Sequence, residues 1–209
     1  MNDFKYLFEF EKAVAKFFSA PYAVATDCCT HALELCLYLK KYDKIVCPFN
    51  TYISVPFMLE KIKRKYVFKD IKWSGYYYLT NDVVDAATFW KRGGYIKNTK
   101  MCLSFHLKKH INIGKGGMIL LDNKHDYIKL QKMRYDGRSI YDGILYKDDN
   151  IRELGYHYYM TPETAKHGLE IFKVKKHMQP KDVTYLDYDN LMQFDFFKKE
   201  KGPRKRPLF

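Results

Sequence analysis

Residues 104–117 of the chain read SFHLKKHINIGKGG. The serine closes an apolar run, two adjacent lysines follow in a turn, and three glycines fall within four residues before the next apolar run. Glycine adopts positive φ without steric cost and lets the backbone approach a ligand closely. A single lysine in a basic chain is most simply a surface charge. The combination of serine, lysine and clustered glycines instead indicates a ligand-binding loop between two strands.

Hydrophobic periodicity on both sides of this loop predicts alternating helices and strands. Helices are predicted over residues 4–18, 30–40 and 126–134, and strands over residues 22–26, 44–47, 83–86, 101–105 and 117–121. This alternation favours an α/β fold with a mixed, largely parallel sheet flanked by helices. Because the periodicity fades and charge rises from about residue 173, we expect a compact domain over residues 1–172 and a basic C-terminal extension over residues 173–209.

The composition is that of a globular protein. The chain has 209 residues, 47% of them hydrophobic, and no apolar run reaches the roughly 18 residues that a membrane span needs. The first residues lack the basic-then-apolar order of a signal peptide, and the five cysteines include no C-x-x-C pair. We therefore expect a cytoplasmic protein with reduced thiols, without a metal site and without membrane association.

Net charge is the strongest compositional signal. The formal charge is +13, and residues 198–206 carry six basic side chains against one acidic side chain. That stretch is typical of a mobile tail. A basic surface attracts nucleic acid, anionic lipid or phosphorylated small molecules, and charge alone does not distinguish among them.

Six segments, in chain order, resemble the DegT/StrS family of sugar aminotransferases, which use pyridoxal 5'-phosphate. The loop resembles the cofactor-lysine motif of that family, Ser-Phe-His-x-x-Lys followed by Gly-x-Gly-Gly. The other matches are an opening helix at residues 8–13, a phosphate-binding turn at 27–33, a Pro-x-x-Thr-aromatic segment at 48–52, an Asp-Ala-Ala strand end at 84–87 and a Gly-x-Asn-x-Arg-Met loop at 155–161. The resemblance implies the large-domain fold of aspartate-aminotransferase-type (fold type I) enzymes.

The resemblance implies a catalytic lysine and a catalytic aspartate. Lys109 would hold the cofactor as an internal aldimine, and the five-residue step from Ser104 favours it over the adjacent Lys108. A lysine that attacks an aldehyde must be neutral, which burial or neighbouring cations favour. Asp85 would keep the ring nitrogen protonated, so that the ring acts as an electron sink. The alternative for Asp85, taken alone, is the N-cap of a helix.

The resemblance also implies residues that bind the cofactor around this pair. Thr30, at a helix start, and Ser104 would hold the phosphate. Tyr52 would stack on the ring. His157 would reach the phosphate of a partner subunit, so that a homodimer with shared active sites is expected.

Four positions depart from the family pattern. Cys29 replaces the glycine of the phosphate turn, Thr88 replaces the Gln or His near the ring, His157 replaces Asn and Tyr159 replaces Arg. Cys29 and Thr88 still belong to the expected cofactor-binding set. After Leu169 the usual second domain, which shapes the sugar site, is mostly absent.

The expected function is transfer of an amino group from glutamate or glutamine to a keto sugar carried by a nucleotide diphosphate. Nucleic acid and a membrane are not expected as partners, because the basic residues are dispersed, no known nucleic-acid-binding module is visible and no apolar run is long enough to span a membrane. The alternative is a degenerate scaffold without turnover that binds polyanions such as nucleic acid, or that pairs with a longer homologue. A related branch of the family dehydrates sugars with a histidine in place of the lysine. A shift of the motif match by one residue would give this role to His110.

Overall fold

The computed structural model describes residues 4–140 and 150–198. Its helices are α1 (Lys5–Phe18), α2 (Cys29–Tyr38), α3 (Ser54–Lys61), α4 (Lys124–Met133), α5 (Pro162–Lys175) and α6 (Asp195–Lys198). Its strands are β1 (Tyr22–Thr26), β2 (Val46–Pro48), β3 (Val67–Lys69), β4 (Tyr77–Tyr78), β5 (Val83–Asp85), β6 (Lys100–Ser104) and β7 (Gly117–Leu121). Every predicted helix and strand is confirmed to within a few residues. The elements α3, α5, α6, β3 and β4 are additional.

Five strands form the main sheet in the order β1-β7-β6-β5-β4. The β5–β6 pair is parallel, whereas the β1–β7, β7–β6 and β5–β4 pairs are antiparallel. A mixed α/β sheet is therefore confirmed, but the expectation of a largely parallel sheet is corrected for the described strands. The connections explain the difference. A tight hairpin joins β4 to β5 and the loop at residues 105–116 returns β6 directly to β7, whereas parallel neighbours need a longer crossover.

Both faces of the main sheet are buried. Met101 and Leu103 of β6 pack in the layer that contains α1 and α5, whereas Cys102 packs in the layer that contains α2. On β7, Leu120 packs in the layer of α1 and α5, and Ile119 packs in the layer of α2. Because successive side chains of a strand point to opposite faces, two covered faces require apolar residues at nearly every position. This requirement explains the continuous apolar runs that predicted these strands.

The chain after α5 packs against the loops beside β2 and β4. The backbone N–H of Tyr185 donates to the carbonyl of Trp73 (3.0 Å), and that of Leu191 donates to the carbonyl of Phe49 (2.8 Å). The boundary predicted after residue 172 falls inside α5, which continues to Lys175. Of the predicted mobile tail at residues 198–206, all but the first residue lies outside the described residues. Across residues 4–140 and 150–198, no helix is long and apolar enough to cross a membrane.

A buried ion pair joins α1, β1 and the end of α4. Arg134 is fully buried and Glu11 is 4% exposed. The Glu11 carboxylate accepts the backbone N–H of Ala25 (2.7 Å) and an N–H of Arg134, while the Arg134 guanidinium also donates to the carbonyl of Ala25 (2.7 Å). The pair thus compensates two buried charges and fixes both helices against β1.

Removing one partner of this pair should destabilise the protein strongly. Glu11→Ala leaves the Arg134 charge buried without its counter-charge, so we expect the free energy of unfolding to fall by about 3–5 kcal/mol. Urea denaturation measures the loss. The matched control is Glu153→Ala, which breaks the half-exposed pair with Lys132 (3.5 Å) and should cost less than about 1 kcal/mol. Equal losses for the two variants would contradict this assignment.

Candidate active site

A cavity of about 1070 Å³ lies at the edge of the sheet where β5 and β6 end. Because these two strands are parallel, their last residues, Asp85 and Ser104, reach the same edge. The predicted site residues that line the cavity are Cys29, Thr30, Tyr52, Asp85, Thr88, Ser104 and Lys109. The structure therefore brings residues from separated segments of the sequence to one cavity.

The N-terminus of α2 faces this cavity. Cys28 caps the helix by accepting the backbone N–H of His31 (3.4 Å), and the Thr30 hydroxyl hydrogen-bonds the Ser54 hydroxyl (2.7 Å). Backbone N–H groups and the helix dipole make such a terminus attractive to a phosphate. Cys29 does not have the positive φ that would require glycine, and its thiol is directed to the carbonyl of Cys102 (3.7 Å). The replacement of glycine at this position therefore causes no backbone strain.

Gly117, the first residue of β7, lies against the turn that begins α2, and the absence of a side chain allows this close approach. A Cβ atom at this position would lie 2.4 Å from the carbonyl carbon of Cys28 and 2.6 Å from the nitrogen of Cys29. Any side chain would therefore displace the turn. Gly114 has a φ of +89°, which L-residues rarely adopt. These two glycines of the loop serve backbone packing and a turn, in addition to any contact with a ligand.

Asp85 is a buried carboxylate at the end of β5 with neutral hydrogen-bond donors. The Tyr77 hydroxyl donates to its Oδ2 (2.6 Å) and the backbone N–H of Ala87 donates to its Oδ1 (2.9 Å). Because the Tyr77 proton is used in this way, the Thr51 hydroxyl donates to the Tyr77 oxygen (2.5 Å). Burial raises the pKa of Asp85, and these hydrogen bonds together with the charge of Lys109 oppose the shift only in part. The carboxylate would therefore be stabilised by an additional cation in the cavity.

Lys109 is half-buried, and its amine donates to the Tyr188 hydroxyl (3.1 Å) inside the cavity wall. Lys108 also lines the cavity but is exposed. His110, the residue that a one-residue slip would select, hydrogen-bonds the carbonyl of Lys175 (2.8 Å) through its ring. Of these three side chains, that of Lys109 is the one that hydrogen-bonds another residue lining the cavity.

The remaining predicted residues differ in their positions. Tyr52 is 60% exposed at the rim of the cavity. The Thr88 hydroxyl donates to the carbonyl of Gly75 (2.8 Å), so it stabilises a neighbouring loop. His157 lies outside the cavity, exposed on the surface, where its ring hydrogen-bonds Asp136 (2.9 Å). A role for His157 in a partner subunit stays a prediction.

A charged network adjoins the N-terminus of α2. The His31 ring hydrogen-bonds Asp27 (2.7 Å), and the amine of Lys115 donates to the same carboxylate (3.1 Å). Burial alone would lower the pKa of His31, but the hydrogen bonds and charges of Asp27 and Cys28 raise it to about 9. Asp27, Cys28 and His31 bring three potential metal ligand atoms within 4.8 Å of one another. The raised pKa favours a protonated His31 near neutral pH, in which both ring nitrogens are hydrogen-bond donors.

Sequence reasoning missed three residues that contact the predicted ones. Ser54 bonds Thr30, Tyr77 bonds Asp85, and Tyr188 bonds Lys109. Ser54 lies two residues after the segment at residues 48–52, so the expected proximity of that segment could have suggested it. The two tyrosines carry no distinguishing sequence signal in a chain with nineteen tyrosines.

A sequence model of the DegT/DnrJ/EryC1/StrS aminotransferase family matches residues 2–89 and 78–194. The chain belongs to this family. Members of the DegT/DnrJ/EryC1/StrS family are pyridoxal-phosphate-dependent sugar aminotransferases, which confirms the predicted family and cofactor. No curated protein matches the chain significantly.

Several solved structures have a fold similar to that of this chain. AtS13 from Actinomadura melliaura is 18% identical to this chain with a TM-score of 0.71, and the match covers 80% of this chain and 59% of the AtS13 chain. NtdA from Bacillus subtilis, solved with bound cofactor PMP, is 19% identical with a TM-score of 0.71, covering 82% and 48%. The aminotransferase PseC from Helicobacter pylori is 16% identical with a TM-score of 0.66, covering 81% and 57%. The similarity confirms the fold type I architecture, and the chain spans less than two thirds of the length of each structure.

The residues around the cavity fit the cofactor of the DegT/DnrJ/EryC1/StrS family. A phosphorylated pyridine aldehyde needs an amine, a partner for its ring nitrogen and a phosphate site. Lys109 offers the amine, and Asp85 is a buried carboxylate without a neutralising ion pair among the described residues. The start of α2, with the Thr30 hydroxyl, and the Ser104 side chain offer anion-binding groups.

The His31 network makes stability depend on pH. The pKa of His31 is raised from 6.5 to about 9 in the folded protein, so its stabilisation is complete below pH 6.5 and is lost as the pH rises through about 9. We expect the free energy of unfolding to fall by on the order of 1–2 kcal/mol over this interval. Denaturation of His31→Gln should lack that decrease, whereas His125→Gln, at an exposed histidine, should retain it. A pH dependence shared by His31→Gln would exclude His31 as its source.

Proposed function

We propose that the protein is a pyridoxal-phosphate-dependent aminotransferase that acts on a keto sugar linked to a nucleotide. The observation that carries the proposal is the position of Lys109 and Asp85 on the wall of one cavity, beside the N-terminus of α2. These are the groups that the chemistry of this cofactor requires from the protein. Membership in the DegT/DnrJ/EryC1/StrS family supports the same reaction class.

Lys109 and Asp85 have distinct roles in this proposal. Bound pyridoxal phosphate supplies an aldehyde and an electron-accepting ring. Lys109 would hold the cofactor through its amine, and the same amine, when free, would take and return the proton at the substrate carbon. Asp85 would keep the ring nitrogen of the bound cofactor protonated. Its burial strengthens this interaction, because a carboxylate in a medium of low dielectric constant interacts strongly with a neighbouring cation.

The phosphate is assigned to the start of α2. Thr30, with the backbone N–H groups of the helix start at Cys29, and Ser104 bind its oxygens, and Tyr52 at the rim stacks on the ring. The Thr88 hydroxyl already donates to the Gly75 carbonyl. Thr88 therefore shapes the ring pocket without donating a hydrogen bond to the cofactor. His157, exposed on its own subunit, donates to the phosphate of the partner in a homodimer.

The substrate is assigned by charge and by family. Lys108, Lys115 and Lys181 line the cavity, and the whole chain carries a formal charge of +13. A nucleoside diphosphate linked to a sugar is a dianion, which such a cavity attracts. Glutamate or glutamine is the proposed amino donor and the cytoplasm the proposed compartment.

Covalent trapping tests the identity of the lysine. The purified protein is incubated with pyridoxal phosphate, reduced with borohydride and digested, and the modified residue is located by mass spectrometry. We expect the reduced cofactor on Lys109, and we expect Lys109→Ala to lose both the label and, by on the order of a thousandfold or more, the conversion of bound pyridoxal phosphate to pyridoxamine phosphate by glutamate or glutamine.

The matched control is Lys108→Ala, which removes an adjacent, exposed lysine from the same loop. It should retain the label and the conversion. A label on Lys108, or equal labelling of many surface lysines, would contradict the proposed site. If Lys109 were labelled but neither amino donor converted the cofactor, the proposed cofactor site would be supported and the proposed aminotransferase reaction would be refuted.

A further inference from the structure

The amine of Lys109 meets a residue that lies 79 positions later in the chain. Its Nζ donates to the Tyr188 hydroxyl at 3.1 Å and lies 5.9 Å from the centre of the Tyr188 ring. We propose that Tyr188 is a positioning residue, whose hydroxyl holds the Lys109 amine in the orientation from which it bonds the cofactor. The inference rests on the proposed function, since it assigns a partner to the proposed cofactor lysine.

Tyr188 is itself held in place by the loop that follows β2. The Asn50 side-chain amide donates to the backbone carbonyl of Tyr188 (2.8 Å). The Tyr188 ring packs against Trp73 with centroids 5.5 Å apart, and the Trp73 indole N–H donates to the carbonyl of Asn50 (2.8 Å). The backbone and the ring of Tyr188 are therefore both fixed by residues outside the lysine loop.

The segment that carries Tyr188 is also fixed on both sides. Before it, the backbone N–H of Gly75 donates to the carbonyl of Val183 (2.9 Å), and a capping box joins Thr184 to Asp187. After it, Leu191 is buried and bonded to the carbonyl of Phe49. The hydroxyl of Tyr188 thus occupies a defined point on the cavity wall.

The lysine side chain needs such a fixed point. Lysine has a flexible four-carbon stem, and ordering it costs considerable rotamer entropy. The backbone of Lys109 is held by its N–H to the carbonyl of His106 (2.8 Å), but this bond leaves the stem free to rotate. The Tyr188 hydroxyl limits that rotation and keeps the amine at the cavity.

The chemistry of a phenol suits this role in both protonation states of the amine. The hydroxyl oxygen accepts an N–H from the ammonium or from the neutral amine, and the ring face attracts the charged form. Covalent capture of an aldehyde depends on how often the amine adopts an attacking orientation. Tyr188 therefore acts on the rate at which Lys109 captures the cofactor. Among the described residues, its hydrogen bonds and ring contact are not with the groups that we propose to bind the phosphate.

The test starts from cofactor-free protein and measures how it binds two forms of the cofactor. Tyr188→Phe removes the hydroxyl and keeps the ring against Trp73. Stopped-flow absorbance measures the rate of covalent capture of pyridoxal phosphate. Equilibrium titration measures the affinity for pyridoxamine phosphate, which has no aldehyde and forms no bond with the lysine. We expect capture to slow by about three- to tenfold, as for loss of one hydrogen bond, with an unchanged affinity for pyridoxamine phosphate.

Tyr185→Phe is the matched control, because it removes a hydroxyl from the same segment at a residue that does not line the cavity. It should capture pyridoxal phosphate at the wild-type rate, and thermal melting of both variants establishes that they fold. Wild-type capture by Tyr188→Phe would overturn the inference, as would parallel losses of capture rate and pyridoxamine phosphate affinity, which indicate a role in pocket shape alone. If the wild-type protein bound neither form, the proposed function itself would fail.

Discussion

The parallel pairing of β5 with β6 is the constraint on which the site depends. Its register sets Asp85 opposite Cys102, so that the two strands end at one edge of the sheet. Asp85 and the loop after Ser104 therefore line the same cavity. A shift of this register by one residue would turn the Asp85 side chain to the opposite face of the sheet. The proposed partnership of a carboxylate and a lysine therefore follows from backbone hydrogen bonds in a sheet buried on both faces.

A second constraint brings the N-terminus of α2, the proposed phosphate site, to the same edge. β7 lies between β1 and β6, and its first residue, Gly117, approaches the Cys28–Cys29 peptide more closely than any side chain would allow. The glycine-rich end of the lysine loop and the turn that begins α2 are thus packed against each other. In physical terms, the loop motif and the proposed phosphate-binding turn form one structural unit, although about eighty residues separate them in sequence.

The sequence predicted those parts of the molecule that local patterns encode. Apolar runs located β1, β5, β6 and β7, and the motif order selected Lys109, which the structure shows half-buried where Lys108 is exposed. Strand direction was predicted less well, because it depends on the length of connections and not on the strands themselves. The contacts of Tyr77 and Tyr188 could not be predicted, because they join distant segments through side chains of an abundant type. The segment after α5 looked like a charged extension, yet Leu191 and the backbone of Tyr185 fix it to the cavity wall.

The central claim is that one pyridine ring is held between Lys109 and Asp85. A crystal structure of the protein grown with pyridoxal phosphate tests it most directly. The account predicts electron density that is continuous from the Lys109 side chain to the cofactor, a ring nitrogen within hydrogen-bonding distance of the Asp85 carboxylate, and the phosphate at the start of α2. A cofactor bound with its ring nitrogen away from Asp85, or joined to a different lysine, would contradict it.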